Sequence, residues 1–113
     1  MKKVEVNQAS QYDAAGHFNM TAIRLHGTEE TGATKFTVGF SHFLPGGGAE
    51  WSASGTEKVY ICVEGEITVK FENETVVLKP TDSIFIGANE GRSIVNATNF
   101  PASMYVIINI PAK

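Results

Sequence analysis

The sequence predicts an all-β domain, built as an antiparallel sandwich or barrel, and three observations predict it. Apolar and polar residues alternate with period two over short runs, as strands with one buried face require. Turn residues recur between those runs at short intervals. Long stretches of helical periodicity, which would argue for a parallel sheet with crossover helices, are absent. Residues 18–27 (FNMTAIRLHG) read as a strand ending at a glycine. Residues 34–44 (TKFTVGFSHFL) put Phe36, Val38, Phe40 and His42 on one face and stop at Pro45 and three glycines. Residues 57–65 (EKVYICVEG) have the apolar content of a buried strand. Residues 66–80 form a hairpin in which Ile67, Val69 and Phe71 alternate with Thr68 and Lys70. Its turn falls at Glu72, Asn73 and Glu74. The runs DSIFIG, RSIVN and SMYVIINI complete the set. Segments 27–34 and 46–48 read as loops, and no linker divides the chain, so residues 1–113 are expected to form one domain.

Composition narrows the function. The chain has 113 residues, 42% hydrophobic and 19% charged, with a formal charge of −3. That balance, without a basic run of five residues, gives no electrostatic footprint for nucleic acid. Two lysines near the N-terminus are not followed by an apolar segment, so no signal peptide is expected. No apolar stretch approaches the length of a membrane span. Cys62 is the single cysteine and has no partner for an internal disulfide. These features predict a soluble, cytoplasmic protein. The N-x-[ST] triplets at Asn19, Asn73 and Asn96 are accordingly read as chance.

The stretch LPGGGAEWSASGTEKVYICVEG, residues 44–65, has the spacing of a metal-binding loop and strand but contains no histidine. Counting from Gly46 to Gly65, and then along TDSIFIGANEGRSIVN from Thr81 to Asn96, the order of residues resembles the two motifs of the cupin superfamily. The resemblance implies a small jelly-roll-type antiparallel β-barrel, commonly dimeric, whose members hold a transition metal with three imidazoles and a carboxylate. Here the two histidine positions of the first motif fall on Ser52 and Ser54, and its glutamate position on Lys58. In the second motif Thr81 and Asn89 stand for glycines, Gly87 for the proline and Arg92 for the histidine, while Asn96 is kept. Hydroxyls are poor ligands for such ions, and ammonium and guanidinium groups repel them. The ordinary site is therefore not expected, and neither metal nor other cofactor is predicted. A substitute metal site would have to draw on Glu57, His26 or His42.

If the resemblance aligns the strands, alternation turns Lys58, Tyr60 and Cys62, and likewise Arg92, Ile94 and Asn96, toward the interior. Two cations then share one cavity. They require a protein carboxylate (Glu50 or Glu57), an anionic ligand, or an escape to the barrel mouth. The sequence reading is a metal-independent pocket for a small, anionic organic molecule, with Lys58, Arg92, Tyr60, His42, Ser52, Ser54 and Asn96 as its candidate contacts. Two alternatives stand beside it. One is an enzyme, an isomerase, lyase or cyclase using acid/base residues such as Lys58, His42 and Tyr60. The other is a structural or regulatory subunit with a filled barrel. Cys62 reads as a small core residue and Trp51 as a lid or dimer contact. A homodimer built on strands near the N-terminus is expected, because exposed strand edges favour pairing.

Overall fold

The computed structural model describes residues 1–111. A 3₁₀ turn at Val6–Gln8 leads into β1 (Ser10–Tyr12), β2 (His17–His26) and a one-turn helix α1 (Thr28–Thr31). The remaining strands are β3 (Phe36–Ser52), β4 (Lys58–Glu64), β5 (Ile67–Lys70), β6 (Thr75–Leu78), β7 (Ser83–Ile86), β8 (Arg92–Val95) and β9 (Ala102–Asn109). All strand pairs are antiparallel and follow the order β6-β5-β8-β3-β9-β4-β7, with β2 laid on β3 and β1 on the far side of β2. The result is the nearly closed jelly-roll barrel that the strand pattern predicts.

Two readings of local structure change. Segment 27–34 is not wholly a loop: Thr28–Thr31 closes a helical turn, too short to leave a 3.6-residue period in the sequence. More consequentially, the Pro-Gly-Gly-Gly run does not end a strand. It lies inside the 17-residue β3. That strand serves both halves of the barrel, with Phe36–Phe43 paired to β9 and Gly48–Ser52 paired to β8. A Cβ on Gly47 would overlap the Asn19 carbonyl, and one on Gly48 would overlap the Ile94 carbonyl. Gly47 and Gly48 are there for close backbone approach, whereas Gly46, with φ 81° and open space around it, supplies a left-handed kink within the strand.

Alternation sorts the two faces of β3. Gly39, Ser41 and Phe43 point inward and are buried. Phe36, Val38, Phe40 and His42 share the other face, as read, but it is the outer one. The core is made by Phe43, Tyr60, Cys62, Ile67, Val69, Leu78, Ile86, Ile94, Ala102 and Met104. On the outside, register carries one apolar row from Val38 through Ile107 and Val59 to Phe85. A second row runs from Ile23 through Phe40 and Tyr105 to Ile61. Phe40 and Tyr105 meet edge to face with centroids 5.3 Å apart.

Candidate functional site

A cavity of about 230 Å³ lies between β1, β2, β3, β4, β8 and β9. Its polar lining comes from Tyr12, His17, Arg24, Lys58, Tyr60 and Arg92, with Ser41 beside them. Ile94, Met104, Val106 and Ile108 make an apolar wall. No lining residue is acidic. Lys58 and Tyr60 reach the cavity because they alternate on the inward face of β4, while Arg92 opens β8.

The two cations are buried, with Lys58 7% and Arg92 8% exposed, so neither has escaped to solvent. Among the described residues, neither has a carboxylate within 4.0 Å. The pairing with Glu50 or Glu57, one of the three outcomes open from sequence, does not form. Glu50 offers Arg92 its backbone carbonyl, at 3.4 Å from Nη1, and Glu57 donates its backbone N–H to Asn109 on the barrel edge. Hydroxyls hold the cations instead. Arg92 donates from Nε to the Tyr60 hydroxyl (2.8 Å) and from Nη1 to Ser52 Oγ (2.7 Å). Lys58 Nζ donates to Ser54 Oγ (2.8 Å), which also bonds Thr56. Ser52 and Ser54 thus position the cations and are not themselves on the cavity wall.

Burial and the nearby Arg92 charge both hold the Lys58 ammonium below the ordinary lysine value of 10.5. Burial pushes the Tyr60 hydroxyl up, and Arg92 offsets this only in part, so Tyr60 remains a protonated donor at neutral pH. Burial, with Asp82 adding to it, pushes the Cys62 thiol up. Cys62 lies against the Glu64 and Gly65 carbonyls as a core residue, without the lowered pKa of a reactive thiolate.

Three sequence candidates lie elsewhere. His42 sits on the outer face, with Nδ1 2.8 Å from Ser103 Oγ, because strand alternation gives the inner position to Ser41. Asn96 is fully buried but is locked in a loop, donating to the Phe43 and Phe100 carbonyls and accepting from Thr98. Trp51 covers a different concavity, a cleft of about 300 Å³ shared with Phe71, Glu72, Glu74, Asn89 and Glu90. Sequence reasoning missed Tyr12, His17 and Arg24. The Arg24 guanidinium lies 4.5 Å from the Tyr12 ring centroid, a cation–π contact that fixes it beside the cavity. The available signal was weak: Arg24 is in period-two phase with Ala22, the one fully buried residue of β2.

The residues at the four family ligand positions do not fit a transition metal. Two hydroxyls, an ammonium and a guanidinium supply no imidazole and no carboxylate. The substitute set of Glu57, His26 and His42 is not assembled either. His26 bonds Thr31, His42 bonds Ser103, and no cluster of three His, Cys, Asp or Glu side chains suited to an ion exists among the described residues. No helix there is long and apolar enough to cross a membrane.

A family model described as a cupin domain matches residues 39–108. A protein named beta-D-galactosidase from Mycobacterium tuberculosis is 35% identical over 111 residues, covering 98% of this chain and 96% of its own. Among solved structures, the polyketide cyclase RemF of Streptomyces resistomycificus superposes with a TM-score of 0.86 at 20% identity, over 96% of this chain and 79% of that one. A sugar phosphate isomerase from Silicibacter pomeroyi superposes with a TM-score of 0.82 at 18% identity, over 97% of this chain and 76% of that one. At such identities the structural likenesses speak for the fold alone.

Proposed function

We propose, since the chain belongs to the cupin family, that it uses the family barrel as a metal-independent pocket for a small organic anion. The observation that carries this reading is the cavity's charge. Arg24, Lys58 and Arg92 line it, no acidic residue does, and the chain as a whole carries −3. Buried like charges are costly unless something neutralises them, and a carboxylate ligand would do so. The cavity equals roughly eight water volumes at ~30 Å³ each, which suits a metabolite smaller than a drug-sized ligand. The reading takes residues 1–113 as one cytoplasmic domain.

A thermal-shift screen of small carboxylates tests it. An occupied pocket is expected to stabilise the fold by mass action, about 2.7 kcal/mol at a hundredfold excess over the dissociation constant. Arg92→Ala should remove most of that protection. Lys58→Met should weaken it and, with no carboxylate to strand, should make the unliganded protein more stable than wild type at neutral pH. The sign follows from the lowered Lys58 pKa. Between the lowered folded value and the ordinary 10.5, the unfolded chain holds more protons, so wild-type stability rises with pH across that window. The advantage of Lys58→Met should therefore shrink as pH approaches 10.5. No response to any acid, together with turnover of a chromogenic β-galactoside, would replace this reading with the activity named for the mycobacterial relative. Hydrolysis by a carboxylate pair would then have to use the cleft of Glu72, Glu74 and Glu90, because the cavity has no acid to offer.

The same reading includes a homodimer, for which the outer sheet face is proposed in place of the strands near the N-terminus. Strand β1 is only three residues long. The broad apolar rows lie on the outer face of β3, β9, β4 and β7, where Phe85 is 60% exposed and Phe36 48%. Light scattering is expected to give a dimer mass for wild type and a monomer mass for the Phe85→Glu, Tyr105→Glu double variant. A wild-type monomer at micromolar concentration would refute the dimer.

A further inference from the structure

We infer that Lys58 is an amine nucleophile that condenses with the carbonyl of a short aliphatic 2-oxo acid whose carboxylate sits against Arg92. This rests on the anion-pocket reading and adds to it a substrate class and a covalent step.

The hydrogen-bond inventory of the cavity points there. Arg92 has committed Nε and Nη1 to Tyr60, Ser52 and the Glu50 carbonyl, while Nη2 has no protein partner among the described residues. The Lys58 ammonium has three donors, of which Ser54 takes one. Tyr60 accepts from Arg92, which leaves its own proton to donate. Arg92 Nη2, Lys58 and Tyr60 therefore leave donors free on one side of the cavity, and a carboxylate next to a carbonyl presents acceptors to them.

Spacing supports the adjacency of the two groups. Lys58 and Tyr60 are two residues apart on one face of β4, about 7 Å between Cα atoms, and the Tyr60 hydroxyl is 2.8 Å from Arg92. Lys58 and Arg92 line the same cavity, so an acid whose carboxylate meets Arg92 shares that space with the amine, where the Arg92 charge is felt. The aliphatic part of the acid would face Ile94, Met104, Val106 and Ile108. Burial beside a second cation lowers the Lys58 pKa, the direction that raises the share of neutral, nucleophilic amine.

The step balances without an oxidant or cofactor. The lone pair of neutral Nζ forms the C–N bond as the carbonyl π pair moves to oxygen. Tyr60, a protonated hydroxyl, can pass a proton to that oxygen and recover one from the nitrogen. A proton taken up from solvent lets the oxygen leave as water, and the resulting iminium nitrogen returns its remaining proton to solvent, so amine and ketone give imine and water.

The test is reductive trapping on the full-length native protein, using pyruvate and sodium cyanoborohydride, read by intact mass and peptide mapping. A stable adduct is expected on Lys58, saturable in pyruvate and absent from Lys58→Met. Arg92→Ala should slow its formation about tenfold, the loss of one charge-assisted contact. The exposed Lys2, Lys3, Lys35, Lys70 and Lys79 give the non-specific rate within the same sample. Labelling of Lys58 no faster than theirs would overturn the inference. Thermal protection by pyruvate without a Lys58 adduct would remove the covalent step and leave the anion pocket standing. Neither protection nor adduct would overturn the inference, and the anion pocket would fall with it only if the wider carboxylate screen also gave no response.

Discussion

Gly48→Ala is expected to destabilise the protein by about 4 kcal/mol, at the upper end of single-residue effects. The new Cβ would overlap the Ile94 carbonyl oxygen, and it would lie 2.8 Å from the Ile94 carbonyl carbon and 3.0 Å from Val95 Cα. All three are backbone atoms, so no side chain can swing aside. Strand β8 would have to move away from β3, breaking the Gly48–Val95 and Ala49–Ile94 register. Arg92 begins that strand, so the shift would reach the cavity. Because small domains have only about 5–15 kcal/mol in total, much of the margin would go. Urea titration should show the midpoint falling while the slope stays the same. A loss below about 1 kcal/mol would mean that the strands can part cheaply and that the close approach is not what the glycine serves.

Asn96→Ala is the second large effect, about 3 kcal/mol and on the order of 10–15 °C in melting temperature. The Asn96 amide donates to the Phe100 carbonyl at 2.7 Å and to the Phe43 carbonyl at 3.3 Å. Its oxygen accepts from the Thr98 backbone N–H (3.1 Å) and hydroxyl (2.8 Å). Truncation would take a partner from the buried Phe43 carbonyl, release the loop at Thr98 and Phe100, and leave a void at a fully buried position, which together cost more than a single bond contributes. Calorimetry should show the loss, while the response to carboxylates relative to the new baseline should be retained, since Asn96 does not line the cavity. A variant that melts normally but no longer responds to acids would return Asn96 to the binding site.

Strands β2 to β9 were legible because each has an inward face and enough length to show it. Lys58 and Tyr60 could be placed inside from alternation along β4, and Arg92 from its alternation with Ile94, both under the family resemblance. Strand β3 misled twice. Its more apolar face, with Phe36, Val38 and Phe40, is the outer one, so His42 was drawn toward the site and Ser41 was passed over. Its Pro-Gly-Gly-Gly run carries the usual marks of a turn, and Gly46 does take a left-handed conformation (φ 81°), yet the strand resumes at once because Gly47 and Gly48 lie against the backbone of two neighbouring strands. Tyr12 was beyond reach for another reason. A three-residue strand contains no period, and what sets its place is pairing with β2, which is tertiary information. Asn96 was drawn into the site by its conformity to a motif, whereas its hydrogen bonds are those of a clamp.

The position of β9 also bears on how the chain comes together during synthesis. It is the last strand in chain order, yet it lies in the middle of the sheet, between β3 and β4. Without residues 102–109, β4 pairs only with β7, and that pair has no backbone ladder to the set of β1, β2, β3, β8, β5 and β6. A nascent chain that has reached Val95 therefore holds two unjoined pieces of sheet, each with a strand edge awaiting the same partner. Exposed edges of this kind invite pairing with other chains. The wall that closes the cavity, Met104, Val106 and Ile108, arrives with that same strand, so barrel and pocket are completed together.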